Sequence, residues 1–347
     1  MTTNGPSSSA FSRRSLLLGS LGGVGVAAGI GLYTTRHHRA HHKQPDGQYR
    51  KITLTWPNAN MAAVLAVAAQ KDFFAKYSLE VENPTDPING ANAIAALANG
   101  TAQFAVAPAL SWLPHLHSGL EASLILGIQP GTFRLLVRRG AGITRLEQLI
   151  GRVVAVPDHN MADKLFLAIM MRRKGLNAMD GIAWRPTPIT ELMTAAANGS
   201  IDAIASHDPV AWQLLNTSSG LFAELVSSNT GHYADRTSLV LGVANATLTT
   251  DPDAATAMAL ALRDAAKWTN THRDDAARLV ATATPELSAD LIRDMLANEP
   301  PIRPVVGHTL RDQMAQYCDE LQLIGLLPNT ESAAELAHKY TQNVLKG

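Results

Sequence analysis

The chain has 347 residues, of which 46% are hydrophobic and 17% charged, a composition that is typical of a globular protein and excludes a disordered one. Its formal net charge is zero, but the first 50 residues hold six of the 29 basic residues and one of the 29 acidic ones. The remainder is therefore mildly acidic. Since only 5% of the residues are aromatic and no basic stripe is present, nucleic acid is excluded as a partner.

The N-terminal segment carries a targeting pattern. Arg13 and Arg14 directly precede an uncharged apolar run from Leu16 to Tyr33. This arrangement resembles a twin-arginine export signal, so residues 1–35 are predicted to direct the chain through the twin-arginine translocation machinery to the periplasm. A run of about 18 residues is near the lower limit for crossing a bilayer. An uncleaved segment that tethers the protein to the inner membrane therefore stays an open alternative.

A histidine-rich and basic stretch, residues 36–50, follows as a linker. Basic residues commonly flank membrane segments, so we predict a flank here and no metal site. The only cysteine is Cys318, and no intrachain disulfide is possible.

From residue 51 onward, short β-type runs alternate with segments of helical length. The first set comprises predicted strands at 51–56, 79–82 and 103–107 and predicted helices at 61–77 and 89–99. The second set comprises predicted strands at 152–156, 181–184 and 202–205 and predicted helices at 160–174, 189–198 and 209–215. Strands that alternate with helices indicate a largely parallel sheet covered on both faces.

Two extended stretches separate these sets from each other and from the C-terminal part. Residues 123–138 are predicted to cross from one lobe to the other, and residues 237–243 to return. Helical patterns then continue to the end of the chain, at 251–271, 274–281, 289–298, 310–324 and 332–345. The prediction is an α/β protein with two lobes, each a mixed or parallel sheet flanked by helices, and a helical C-terminal tail. Its boundaries are 51–137 for the first lobe, 138–239 for the second, and 240–347 for the return and the tail.

Four stretches resemble a known family. Residues 68–81 are similar to its x-x-E-K-G-F-F-x-x-x-G-L-x-V segment, with Asp72 and Ser78 in place of glycines. Residues 97–105 resemble its L-x-x-G-x-x-D-x-A step, residues 142–156 its x-I-x-x-L-x-D-L-x-G-x-x-V-x-V segment, and residues 198–203 its G-x-I-D-A step. The family is the nitrate/sulfonate/taurine group of solute-binding proteins of ABC importers, in the thiamine-pyrimidine-synthase-like superfamily.

The resemblance implies a type II periplasmic-binding-protein fold and a function. The expected protein is an exported, monomeric solute-binding component that closes its lobes over a small solute and delivers it to the permease and ATPase subunits of an importer. The solute would be a nitrate-, sulfonate- or taurine-like anion or a small aromatic compound. Neither catalysis nor a cofactor is expected.

Ligands of parallel sheets bind beyond the carboxyl ends of strands, where helix N-termini present free N–H groups. The residues that follow the predicted strands are therefore the candidate ligand-binding residues. They are Trp56, Asn58, Asn60, Ser111, Trp112, Gln129, Thr132, His159, Asn160, Met161, His207 and Asp208. Arg134 and Lys164 are the only basic residues near these loops, so an arginine clamp for an anion is not evident.

Two other functions stay open as alternatives. One is an enzyme on the same fold that acts on a pyrimidine-like or aromatic compound, although no G-x-S-x-G, P-loop or H-E-x-x-H motif is present. Enzyme relatives need a cysteine cluster, which a chain with one cysteine lacks. The other is a membrane-tethered domain that senses a ligand.

Overall fold

The computed structural model of the protein describes residues 48–84, 89–157, 162–284 and 287–345. The predicted export segment lies outside these ranges. Among the described residues, no helix combines the length and the apolar character that crossing a membrane requires.

The first lobe is built on a five-stranded mixed sheet. Its strands are β1 (Arg50–Thr55), β2 (Leu79–Glu82), β3 (Phe104–Pro108), β4 (Ala122–Pro130) and β10 (Thr237–Ala244), in the order β2-β1-β3-β10-β4. Strand β1 pairs in parallel with β2 and β3, whereas β10 is antiparallel to both β3 and β4. The returning chain therefore inserts one antiparallel strand into an otherwise parallel arrangement.

The second lobe repeats this plan. Its strands are β5 (Phe133–Arg138), β6 (Val153–Val156), β7 (Ala183–Pro186), β8 (Ala203–His207) and β9 (Phe222–Ser227), in the order β7-β6-β8-β5-β9. Strand β6 is parallel to β7 and β8, and β5 is antiparallel to β8 and β9. In each lobe the antiparallel strand is the one that adjoins a crossing.

Helices flank both sheets. Those between the strands of the first lobe are α1 (Ala63–Gln70), α2 (Phe73–Lys76), α3 (Gly90–Ala98) and α4 (Ala109–His117). Those of the second lobe are α5 (Ala162–Arg172), α6 (Ala178–Gly181), α7 (Leu192–Ala197) and α8 (Val210–Thr217). The C-terminal part adds α9 (Asn245–Thr250), α10 (Pro252–Thr271), α11 (Arg273–Ala283), α12 (Ala289–Asn298), α13 (Gly307–Leu323) and α14 (Ala333–Tyr340). Short 3-10 helices lie at Ala59–Met61, Arg139–Ala141, Leu146–Leu149, Ile189–Glu191 and Gly231–Tyr233.

This architecture confirms the predicted fold class of two mixed sheets flanked by helices, with a helical C-terminal tail. The chain changes sheet earlier than the sequence indicated, however. The stretch 123–138 forms two strands of different sheets, separated only by Gly131 and Thr132. The return runs through residues 228–236 before β10 joins the first sheet. Two adjoining extended runs with a two-residue break cannot be told from one long run by their pattern of apolar residues.

The segment 61–77 also differs from the predicted single helix, because it forms α1 and α2. Asp72 lies between them with a φ of 59°, and Ser78 follows with a φ of 58°. These are the two positions at which the resembling family has glycine. Asp72 and Ser78 therefore adopt the left-handed backbone conformation that favours glycine, and each of them lies just beyond the end of a helix.

A buried carboxylate connects the return crossing to the second lobe and to the C-terminal tail. Glu320 on α13 is fully buried, and its oxygens accept hydrogen bonds from Nη2 of Arg236 at 2.7 Å, Nη2 of Arg173 at 2.8 Å and the hydroxyl of Tyr233 at 3.1 Å. Arg173 follows α5 of the second lobe, whereas Tyr233 and Arg236 lie in the crossing. Burial and the nearby Glu320 charge raise the pKa of Tyr233 to about 12, so its hydroxyl keeps the proton that it donates.

We predict that Glu320→Gln destabilises the protein. The substitution removes the negative charge that neutralises the buried Arg236 guanidinium, a loss that typically costs about 3–5 kcal/mol. Urea denaturation followed by circular dichroism measures the change. The matched control is Glu147→Gln, because Glu147 forms a solvent-exposed pair with Lys174 at 3.5 Å and its removal is expected to leave the unfolding midpoint in place. Equal midpoints for the two variants would contradict this role of Glu320.

Candidate ligand-binding site

A cavity of about 140 Å³ lies between the two lobes. Trp56 directly after β1, Pro108 at the end of β3 and His207 at the end of β8 all line it. The carboxyl ends of parallel strands from both sheets therefore meet at this cavity, which is where ligands of such sheets bind. By volume, it admits a ligand of roughly the size of a substituted benzene ring.

Seven of the residues predicted from the sequence line this cavity. They are Trp56, Asn58, Ser111, Gln129, Thr132, His207 and Asp208. His159, Asn160 and Met161 lie outside the described residues, so their contact with a ligand stays a prediction.

The structure places Trp112 and Asn60 away from the cavity lining. Trp112 is fully buried, and its Nε1 donates a hydrogen bond to the carbonyl of Val240 at 3.0 Å. Its ring packs so tightly on Gly242 that a Cβ there would lie 2.5 Å from the ring. Trp112 is thus a core residue of the first lobe, because it lies on the face of α4 that packs on the sheet. Asn60 is exposed in a 3-10 helix.

Several lining residues were missed by the sequence analysis. They are aromatic or acidic, and they include Asp163, Phe166, Tyr233, Glu299 and Tyr317. Phe133, which lies beside Thr132 at the first crossing, also lines the cavity. Its ring centroid lies 4.8 Å from that of Phe166, and the centroids of Phe166 and Tyr233 are 4.7 Å apart. The signal that was available for Asp163 is its location in the first turn of a helix. Glu299 and Tyr317 come from the C-terminal tail, where no strand pattern points to a site.

Arg134 does not act as a free cation in the cleft. Its Nε donates to both carboxylate oxygens of Asp208 at 2.8 and 3.0 Å, its Nη2 donates to Asp208 Oδ2 at 2.9 Å, and its Nη1 pairs with Glu224. Burial lowers the pKa of Arg134, but these two carboxylates raise it more, so the guanidinium is charged and neutralised in place. Among the described residues that line the cavity, there is no lysine or arginine.

His207 and Asp163 form a second pair in the lining. Nδ1 of His207 lies 2.8 Å from Oδ2 of Asp163. Burial lowers the pKa of His207, but the charge and the hydrogen bond of Asp163 raise it more, so the net shift is upward. With Nδ1 engaged, Nε2 is the ring nitrogen that remains for a ligand, since it forms no hydrogen bond with a described residue.

Glu299, which follows α12, is the third acidic residue of the lining besides Asp163 and Asp208. Burial raises the pKa of its carboxyl to about 8, and the Asp208 charge adds to the shift. Its side chain makes no hydrogen bond with another described residue. The backbone around it is fixed by Arg273, whose Nη1 donates to the Glu299 carbonyl at 2.9 Å and whose Nη2 donates to the Pro300 carbonyl at 2.8 Å.

The described residues hold no cluster of three or more His, Cys, Asp or Glu side chains that could bind a metal ion. The described lining consists of aromatic rings, an imidazole, carboxyl groups, neutral hydrogen-bonding groups and apolar side chains.

The elevated pKa of Glu299 predicts a pH dependence of stability. Between about 4.5 and about 8, the unfolded chain has released the Glu299 proton, whereas the folded, ligand-free chain retains it. Raising the pH through this window therefore favours unfolding. We expect the stability of the wild-type chain relative to Glu299→Gln to fall as the pH rises, as measured by urea denaturation at a series of pH values. A difference that stays constant across the window would contradict the elevated pKa.

Several solved structures share the fold of this chain. The alkanesulfonate-binding protein SsuA of Xanthomonas axonopodis pv. citri, solved with bound MOPS, matches with a TM-score of 0.69 at 17% identity, over 83% of this chain and 98% of that one. The aliphatic sulphonate-binding protein SsuA of Escherichia coli matches with a TM-score of 0.68 at 16% identity, over 84% and 92% of the two chains. The nitrate-binding protein NrtA of Synechocystis PCC 6803 matches with a TM-score of 0.67 at 13% identity, over 85% and 86%.

These similarities establish the periplasmic-binding-protein fold that the sequence motifs predicted. No curated protein sequence matches the chain. The model of the NMT1/THI5-like family matches residues 58–276, which is more than half of the chain. The chain therefore belongs to the NMT1/THI5-like family.

Proposed function

We propose that the chain is the exported solute-binding component of an ABC importer, which captures a small solute between its lobes and delivers it to a membrane permease. The observation that carries this proposal is the cavity at the strand ends of both sheets. Its lining joins Trp56 and Ser111 of the first lobe with Phe166 and His207 of the second. A solute in this position contacts both lobes at once, so it stabilises the arrangement in which they lie together.

Closure of the two lobes over the solute is the proposed mechanism of capture. The lobes are connected through the two-residue break at Gly131 and Thr132 and through the return crossing at 228–236, which is the geometry of a hinge. A ligand shifts the equilibrium toward the closed state by its greater affinity for that state. Permease and ATPase subunits would then recognise the closed form.

A specific observation keeps an enzyme as the second candidate. The His207–Asp163 pair has the geometry that enzymes use to orient a histidine base. No described hydroxyl or thiol lies within hydrogen-bonding distance of His207, however, so the nucleophile that such a base would activate is not part of the described site. Whether a bound compound is recovered unchanged separates the two functions.

The proposed function predicts stabilisation by a solute. The panel for thermal-shift screening of the full-length chain holds nitrate, bicarbonate, taurine, alkyl- and arylsulfonates, aromatic acids and pyrimidines. A solute at 100 times its Kd adds about 2.7 kcal/mol of stability, enough to move the transition by several degrees. Mass spectrometry after incubation is expected to recover the solute unchanged, whereas its consumption would contradict a transport role and favour the enzyme.

The same screen is designed to locate the binding site. We expect His207→Ala to weaken binding of the solute at least tenfold, because His207 lines the cavity. Asn60→Ala is the matched control, since Asn60 is exposed and outside the lining, and its affinity is expected to equal that of the wild type. Equal loss in both variants, or loss in Asn60→Ala alone, would place the ligand elsewhere.

The proposed export is tested separately, with Arg13→Lys combined with Arg14→Lys. The double substitution keeps both charges but removes the arginine pair that a translocation receptor reads. Fractionation of expressing cells is expected to find the wild-type chain in the periplasm or on the periplasmic side of the inner membrane, and the variant in the cytoplasm. Equal amounts of both proteins in the periplasm would show that the arginine pair is not the signal.

A further inference from the structure

We propose that the interlobe cavity takes a small aromatic solute that carries a cationic, N–H-donating group such as an amidinium or a protonated amine, and that Glu299 is the carboxylate that binds this group. The inference rests on the proposed function, because it assigns a ligand class to the same cleft. It differs from the expectation of an anionic solute that accompanies sulfonate- and nitrate-binding proteins of this fold.

The charged groups around the cavity favour a cationic ligand over an anionic one. Three carboxyl groups of the described residues line it, those of Asp163, Asp208 and Glu299. The guanidinium of Arg134 is used by Asp208 together with Glu224, and a charged His207 is balanced by Asp163. No lysine or arginine is present among the described residues of the lining to neutralise an anion, whereas an ionised Glu299 carboxylate attracts a cation.

In the absence of a ligand, the Glu299 carboxyl is left without a hydrogen-bond partner among the described residues. Its backbone is held by Arg273, whose guanidinium donates to main-chain carbonyls and to the side chain of Asn270. The Glu299 carboxyl itself has no hydrogen-bond partner among the described residues. Glu299 is half-buried and lines the cavity. A carboxylate that a ligand encloses without a hydrogen-bond partner is unfavourable, whereas two N–H donors of a planar cation satisfy it with strong, charge-assisted hydrogen bonds.

The aromatic side chains of the lining favour a flat ligand. Phe133, Phe166 and Tyr233 form a contiguous cluster with centroids 4.7–4.8 Å apart, and Trp56 lines the cavity from the first lobe. Aromatic faces favour a flat apolar body and also attract cations. A volume of about 140 Å³ is enough to hold a benzene-sized ring.

Protonation couples to binding in a direction that can be measured. The elevated pKa of Glu299 means that the empty cleft holds a proton on this carboxyl near neutral pH. A bound cation favours the ionised form, so binding releases a proton. The groups that face Glu299 are Asp208 and Arg134 from the second lobe and Arg273 from α11. Affinity for a cation should therefore rise with pH until Glu299 is ionised in the empty protein.

The test uses a series of nearly isosteric probes on the full-length chain. Benzamidine is cationic, benzamide neutral, and benzoate and benzenesulfonate anionic. Isothermal titration near neutral pH, in two buffers of different ionisation enthalpy, gives both the affinity and the number of protons released. We expect benzamidine to bind at least tenfold more tightly than benzamide, with proton release, and the two anions to bind more weakly than benzamide.

Variants assign the effect to one residue. Glu299→Gln is expected to lose at least tenfold in affinity for benzamidine, to lose the proton release and to leave affinity for benzamide nearly unchanged. Glu147→Gln, on the exposed surface, is the matched control with wild-type values. If Glu299→Gln does not fold, Glu299→Asp keeps the charge and shortens the side chain, and it is expected to weaken benzamidine selectively.

The outcomes separate this inference from the proposed function. Tighter binding of benzoate or benzenesulfonate than of benzamidine would overturn the inference while leaving a solute-binding function intact. Unchanged benzamidine affinity in Glu299→Gln, or no binding by any of the four probes, would also overturn it. Conversion of bound benzamidine to a product would overturn the transport function but not the charge preference of the cleft.

Discussion

The buried carboxylate of Glu320 is the interaction on which the position of the return crossing depends. A buried negative charge is stable only when it is neutralised and its oxygens accept hydrogen bonds, and here the acceptor and its donors come from three separate parts of the chain. Arg173 belongs to the second lobe, Arg236 and Tyr233 to the return crossing, and Glu320 itself to the C-terminal tail. The crossing is therefore fixed at its centre rather than free to slide.

This fixed crossing also forms one wall of the cleft. Arg236 stacks on the rings of Tyr317 and Tyr233, with its guanidinium carbon 3.9 and 4.6 Å from their centroids. The same two tyrosines line the cavity. A change in the position of the crossing would consequently change the shape of the site.

The fold and the ligand are set by different residues. Strand pairing and helix packing give this chain the same fold as solved sulfonate- and nitrate-binding proteins. Proteins that share a fold need not bind the same ligand, however. In this chain, Arg134 is used by Asp208 and Glu224, and the other imidazole and carboxyl groups of the described lining are those of His207, Asp163 and Glu299. The charge balance of these few side chains, rather than the architecture, is what favours a cationic ligand over an anionic one.

The sequence predicted the architecture well because alternating strand and helix patterns and left-handed turns are local properties. The two lobes, the helical tail and seven lining residues were accessible in this way. Trp112 was misplaced because it follows a strand as a ligand-binding residue does, and only packing on Gly242 shows that its ring faces the core. Glu299 and the pairing of Arg134 with Asp208 were missed because they depend on contacts between distant segments.

The most direct test of the account is a crystal structure of the full-length protein with bound benzamidine. We expect electron density for the ring in the interlobe cavity, beside Phe166, with the amidinium nitrogens within hydrogen-bonding distance of the Glu299 carboxylate. Density at another surface, or an amidinium directed away from Glu299 within the cavity, would contradict it.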